Sequence, residues 1–251
     1  MGGGLVRLIE LRSDEADFRS SDAPIAVLPL GAVEQHSRHL PVGTDALIVE
    51  TIATDLERRV PDEVLLLPTI FVGASDHHLA MPGSVSVGSL AIADAAARQC
   101  LSLARSSGVT RFLLLNGHGG NQPAVRIALE AIHSAEPGLR AFGVDYWSLM
   151  FDRVDAEGIE RPAAMGHADH IETSILLATR PELVRMDVAT ADEYRDGLPG
   201  GVFTTDGIPE RTSHGGVGDA RRATSADGAR YLAAAVDGAT ELIGSLAARA
   251  S

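Results

Sequence analysis

Four short apolar runs, each bounded by turn-forming residues and separated by stretches of helical spacing, constrain the fold of this chain most. They are residues 25–30 (IAVLPL), 64–72 (VLLLPTIFV), 111–115 (RFLLL) and 139–144 (LRAFGV). Each has the length of a strand, and none has a helical period. Helical spacing runs through 45–59, 89–106, 122–134, 172–179 and 225–248. Strands apolar on both faces must be covered on both, so the alternation predicts an α/β fold with a mostly parallel sheet between helices. In such sheets ligands bind beyond the carboxyl ends of the strands, and the loops leaving those ends are where chemistry is expected. No linker or charge block divides the 251 residues, which predicts one domain over 1–251. Residues 190–222, rich in Gly, Asp and Thr, read as a long surface or active-site loop.

A chain of this length with 45% hydrophobic residues buries a core without a structural metal, so metal-type residues call for a chemical reason. Its 21 Lys and Arg against 34 Asp and Glu give a net charge of −13, which argues against nucleic acid or an acidic membrane as partner. The lone Cys100 excludes a disulfide framework, and its apolar helical setting argues against a catalytic thiol. No apolar run reaches the roughly 18 residues of a membrane helix and no leader pattern opens the chain, so a cytoplasmic protein is expected. The opening MGGG has Val6 where a myristoylation start has Ser or Thr, and carries no weight.

Three segments at predicted strand ends carry ligand-type residues. After the first strand, residues 31–45 read GAVEQHSRHLPVGTD. Glu34 and His36, two apart, point to one side of an extended chain, where an oxygen and an imidazole nitrogen can share a cation. Asp45 offers a carboxylate for a second cation; alternatively Thr44 or Asp45 caps the following helix and Glu34 and His36 are solvated. After the third strand, residues 116–121 read NGHGGN, where glycines clear the space around His118. That residue is either a metal ligand or part of a tight turn, or the loop is an anion cradle at a helix N-terminus. The third segment, residues 166–174 (GHADHIETS), brings His167, Asp169, His170 and Glu172 together. Here too Asp169 and Glu172 can be simple N-terminal helix charges. Residues 73–88 carry His77 and His78 and either contact substrate or form an exposed connection.

These motifs resemble the creatininase (creatinine amidohydrolase) family over nearly the whole chain: EQHSRHLPVGTD, NGHGGN, HADHIETS and, more weakly, GVGDARRAT at 216–224. The resemblance implies a three-layer α/β/α domain, commonly hexameric, with two divalent ions. By it, Glu34 and His36 hold different ions, Asp45 bridges them, and His118 joins the ion of Glu34. Glu172 is a ligand or water-orienting carboxylate and His167 an acid/base partner. Members hydrolyse cyclic amides or formamides, and related proteins act in cofactor biosynthesis and peptide maturation. Ser37 stands where the family has Gly, tolerable if its φ is negative, and Asp169 replaces another Gly. Creatinine-hydrolysing members carry an acidic ligand at the position of Gly120 and flank substrate with two aromatic rings. Neither feature is present here, where Trp147 is the only tryptophan, so creatinine is not the expected substrate.

The expectation is therefore an amidohydrolase with two Zn, Mn or Fe ions, whose activated water attacks a small cyclic amide, formamide or related amide. His167 and Glu172 are the expected proton carriers, and His39, His78, Asn116, Asn121 and Trp147 the candidate substrate or supporting contacts. The alternatives are a creatininase-like peptidase or cofactor-maturation protein, and a non-catalytic α/β protein that binds a small anion.

Overall fold

A computed structural model describes residues 7–19, 23–158, 161, 165–195, 197, 202 and 204–248. The apolar runs form one parallel sheet of β1 (Ile25–Leu30), β2 (Val64–Leu66), β3 (Arg111–Asn116) and β4 (Arg140–Asp145), in the order β2-β1-β3-β4. Strand β1 is central and buried along its whole length. Its alternate residues serve two cores. Ile25 and Val27 join Leu113 and Leu115 beneath α1 (Thr44–Arg59), α4 (Tyr146–Ala156), α5 (His170–Thr179) and α7 (Ser225–Ala248). Ala26, Leu28 and Leu30 join Phe112 and Leu114 beneath α2 (Ser89–Ser107) and α3 (Gln122–Ala135). That is the helix–sheet–helix layering the alternation requires.

Two expectations need correction. The run at 64–72 is a strand only to Leu66, because Pro68 has no N–H to donate to the ladder. The chain returns at Ile70, which bridges Leu30 and donates to the Pro29 carbonyl at 2.9 Å. Helix α4 was not expected. It buries Tyr146, Met150 and Val154 at four-residue spacing, but it starts directly at the end of β4, so no loop announces it. Within 190–222 the described residues hold a small ladder, β5 (Ala191–Asp192) against β6 (Gly218–Asp219), and the short α6 (Ile208–Arg211) between them. Residues 1–6 of the opening, 162–164 and part of 196–203 lie outside the described residues.

Cys100 lies on buried α2 surface, and burial pushes its thiol up to about 12, which makes it a poor nucleophile. No helix among the described residues is long and apolar enough to cross a membrane.

Candidate metal centre

The ligand-type residues meet at the carboxyl ends of β1 and β3. Asp45 sits in the first turn of α1. Neither it nor Thr44 caps that helix: the cap position is Gly43, with no side-chain bond, and Thr44 Oγ1 donates to Pro41 O at 2.7 Å. Glycines let α1 seat directly on the strand ends. A Cβ at Gly117 would lie 2.7 Å from Val49 Cβ and 3.1 Å from the Asp45 carbonyl oxygen.

From that seat the Asp45 carboxylate reaches two imidazoles, with Oδ1 3.1 Å from His36 Nε2 and Oδ2 3.0 Å from His118 Nδ1. Glu34 Oε2 lies 3.3 Å from His118 Nε2, and Glu172 Oε2 lies 3.7 Å from His36 Nε2. The five residues first singled out for metal, Glu34, His36, Asp45, His118 and Glu172, are thus brought together, all at least 95% buried. His36 donates from Nδ1 to the Glu34 carbonyl at 3.2 Å, which turns Nε2 inward.

The donor set fits divalent ions. Glu34 Oε1 and Oε2, His36 Nε2 and Asp45 Oδ2 are all buried without a hydrogen-bond partner, a costly state for so many polar atoms in one volume. Mixed nitrogen and oxygen donors without thiolate suit Zn, Mn or Fe(II). Among the described residues three groups can each hold an ion: His36, Asp45 and Glu172; Glu34, His36 and His167; and Glu34, His77 and His118.

In the protein without ions, protons compensate the carboxylates. Burial, then the charge of Asp45, raises Glu34 to about 7 against the pull of His118 and His36. Burial would lower His118, but Glu34 and Asp45 hold it up at about 9. His36 is held well above its ordinary value by Asp45 and Glu172 despite its burial. Burial would raise Asp45 as well, yet the two histidines hold it well below the usual carboxylate range.

Helix α5 delivers the third segment. Asp169 is its N-cap and accepts from the backbone N–H groups of Ile171 and Glu172, so the capping alternative describes this residue. Glu172 Oε2 accepts from Ala168 N at 2.6 Å, which fixes that carboxylate beside His36. His167 is held by a backbone bridge to Val217. Its Nε2 lies 2.8 Å from the Gln35 carbonyl, and its Nδ1 faces Glu34 Oε1 at 3.6 Å. Burial lowers its pKa well below the ordinary value, which keeps it neutral.

Gln35, which the sequence reading did not single out, organises these histidines. The Ser37 N–H must meet an acceptor, so the atom 3.0 Å from it is the Gln35 amide oxygen, and the amide nitrogen faces Gly215 O at 2.8 Å, His78 Nδ1 at 2.9 Å and His167 Nε2 at 3.0 Å. Two protons serve three neighbours. His167 Nε2 already donates to the Gln35 carbonyl, so the amide protons go to Gly215 O and His78 Nδ1. The His167 lone pair is therefore on Nδ1, inside the site, and His78 carries its proton on Nε2, 3.3 Å from Glu34 Oε1. Gln35 is legible only from its neighbours in space.

A cleft of about 650 Å³ opens on this centre, lined by Glu34, Asp45, His77, His78, His118, His167, Glu172 and Trp147 among others. His39, Asn116 and Asn121 are not among the residues that line it, and their bonds fit the supporting one of the two roles expected of them. His39 Nε2 pairs with Thr173 Oγ1 at 2.9 Å. Asn116 donates to His118 O and Asp145 Oδ1, and Asn121 ties Ala74 N to Gly31 O. All three support the loops that carry the ligands. Ser37 is a further correction: its φ is +57°, the left-handed region where Gly is unstrained, and not negative. A cavity of about 1010 Å³ beyond Met165 and Gly166 is lined by none of the five clustered residues.

A parallel α/β sheet with carboxylates and imidazoles converging at its strand ends defines an α/β protein with a metal-site constellation. The chain matches the family model for creatininase, described as creatinine amidohydrolase, over residues 10–243, and it belongs to the creatininase family. It is 32% identical over 241 residues to a mycofactocin precursor peptide peptidase of Mycobacterium ulcerans (strain Agy99), covering 91% of this chain and 88% of the relative. It is 26% identical over 246 residues to creatinine amidohydrolase of Pseudomonas putida, covering 91% and 92%. A crystal structure of creatininase shares the fold with TM-score 0.84 at 22% identity, over 96% of this chain and 97% of that one. Further creatininase structures are described as a Mn form and as a Zn-Zn form of a variant.

Proposed function

We propose that this chain is a metal-dependent amidohydrolase that cleaves a C–N bond in a small cyclic amide, formamide or related amide, with two divalent ions per chain. The observation that carries this reading is the set of unpartnered buried donor atoms on Glu34, His36 and Asp45, whose carboxylate turns one oxygen to each histidine. His36 and Glu172 would hold one ion, Glu34 and His118 the other, and Asp45 both. When bound, the ions supply Lewis acidity that acidifies a water and polarises a carbonyl oxygen. Relatives described with Mn and with Zn-Zn support the choice of metal class.

The chain's own residues manage the protons. His167, neutral and with its lone pair on Nδ1, accepts the proton of the attacking water. It then returns that proton to the leaving nitrogen. Gln35 holds the ring in the tautomer this requires, through its carbonyl. The Glu172 carboxylate, fixed by Ala168 N–H, orients the water. Trp147 offers the cleft an aromatic wall.

A second reading, a peptide substrate, has a specific observation behind it. The cleft volume of about 650 Å³ is in the range for ligands well above a single small ring, and the relative at 32% identity is described as a peptidase. The unit of function is proposed to be a cytoplasmic homo-oligomer of single-domain chains, a hexamer by family resemblance. Exposed Val42, Phe71, Leu79, Val85, Val87 and Leu90 supply apolar surface for it, and a monomer in light scattering refutes it.

The test is elemental analysis of protein purified without chelator, beside His118→Ala, followed by a panel of lactams, formamides and short peptides. Two ions per chain in the parent, fewer in the variant and turnover of one amide class are expected. Metal-free parent protein refutes the reading, and a metal-loaded protein inert to the whole panel favours a binding protein.

A further inference from the structure

His77 precedes buried His78 in a 3-10 turn, Asp76–His78, on the loop between β2 and α2. The turn is pinned from several sides. The Ala74 N–H donates to Asn121 Oδ1 at 2.9 Å, Ser75 N to Ser86 Oγ at 2.9 Å, and Ser86 Oγ to Asp76 Oδ2 at 3.0 Å. An anchored turn thus carries His77 to the cleft, where its ring runs nearly parallel to that of His118, 11° apart in plane and 5.8 Å between centroids. One donor atom from each of Glu34, His77 and His118 lies within 4.8 Å of the other two.

Space for this meeting exists only because residue 120 has no side chain. A Cβ there would stand 2.3 Å from the Ala74 carbonyl oxygen, 2.4 Å from His118 Nε2 and 2.9 Å from His77 Cε1, distances that could be relieved only by moving the loop backbone and the imidazoles. Gly119 next to it has nothing within 4 Å, so the requirement is local to position 120. The neighbouring His78 does not compete for the role, because its Nδ1 takes the Gln35 amide proton and its Nε2 is turned to the other oxygen of Glu34.

We infer that His77 is a direct ligand of the ion held by Glu34 and His118, giving that ion a second imidazole in the space that Gly120 leaves open. This assignment rests on the metal-dependent reading of the site given above. It makes the two ion positions chemically unequal. The Glu34 position has two imidazoles and therefore prefers Zn or Fe over Mn, while His36, Asp45 and Glu172 offer more oxygen than nitrogen to the other ion.

The test is titration of chelator-stripped parent, His77→Ala and His77→Gln protein with Zn(II) and, separately, Co(II), read by competition with a chromophoric chelator and by the Co(II) visible spectrum. In the parent, two ions bind. Both variants are expected to weaken one binding step by about 10-fold or more, the scale on which even indirect supports of a metal ligand act, with the other step unchanged and the Co(II) bands altered. Since the side chain is exposed, the unfolding temperature of each ion-free variant should match the parent's, which separates loss of a ligand from loss of the fold. Two binding steps and a Co(II) spectrum equal to the parent's in both variants overturn the role of His77 and leave the metal-dependent reading standing. A parent that binds no ion overturns both.

Discussion

Removing the ions and changing pH should drive the stability of this protein in opposite directions with and without metal. In the ion-free chain the Glu34 carboxyl, raised by burial and the Asp45 charge, ionises near 7 instead of 4.5. His118, held up by Glu34 and Asp45 against its burial, loses its proton near 9 instead of 6.5. Both groups bind protons more tightly folded than unfolded, so both contribute stability that is full below their unfolded values and lost as pH rises through the folded ones. The window runs from about 4.5 to about 9. Each shift alone is on the order of 3 kcal/mol. Glu34 and His118 lie 3.3 Å apart, however, and each shift contains the other's charge, so they are not summed. Below about 6.5 the buried histidines whose values burial lowers, His39, His77, His78 and His167, act in the opposite sense, so the loss is read between pH 7 and 9, where about 2 kcal/mol is expected for the ion-free protein. Ions bind the deprotonated donors, so the stabilisation they confer should grow over the same window. Urea unfolding of chelator-stripped and Zn-loaded protein at five pH values measures both trends. Ion-free stability that is flat or rises between pH 7 and 9, or a metal-dependent increment that shrinks there, refutes the account of these protons.

Five substitutions probe the rest of the site. His167→Ala should lower kcat by roughly 100- to 10,000-fold on the amide found in the panel while metal content stays at the parent level; lost metal would make His167 a ligand instead. Gln35→Leu should lower kcat and reshape its pH profile, because the amide that fixes the His78 tautomer and lies 3.0 Å from His167 Nε2 is lost while the backbone carbonyl remains; an unchanged profile removes the Gln35 side chain from the proton path. Ser37→Gly should raise stability in thermal unfolding by about 1 kcal/mol, since φ of +57° costs Ser but not Gly. Gly117→Ala should cost about 1–3 kcal/mol and weaken metal binding by pushing α1 off β3, whereas Gly119→Ala, with open space around it, should be silent in unfolding and metal titration.

The layers of the fold were legible because burial on both faces leaves a direct mark on a strand: every residue of β1 is apolar and buried. The five buried ligands were legible for a related reason. Glu34, His36 and His118 follow shortly after an apolar run stops, Asp45 and Glu172 stand in the first turn of a helix, and charged or imidazole groups at these places have no role in a core. What escaped depends on contacts between distant segments. Gln35 lies between two ligands in the sequence, yet its role comes from Gly215 and from His78 and His167. Asn116 and Asn121 look like cleft residues beside His118, but their amides turn inward to close loop hydrogen bonds. The sign of φ at Ser37 is likewise set by its loop, where its N–H must reach back to the Gln35 side chain.

The close approach of α1 to the sheet explains why this fold can carry such a centre. Gly31 and Gly117 would each collide with α1 if they bore a Cβ, Gly31 at 2.5 Å from the Ala46 Cα and Gly117 at 2.7 Å from Val49 Cβ. Without side chains they let the first turn of the helix rest on the ends of β1 and β3, and Asp45 reaches His36 from one strand and His118 from the other. The helix N-terminus favours the negative charge placed there. Three buried carboxylates still need counter-charge. In the ion-free chain it comes from protons on the cluster; two divalent ions would replace them and leave a single positive charge in a buried volume. Positive charge there favours a negative oxygen and resists protonation of His167, which the proposed mechanism requires to stay neutral until it accepts a proton. The same electrostatics therefore account for the stability of the ligand cluster and for the state of the base beside it.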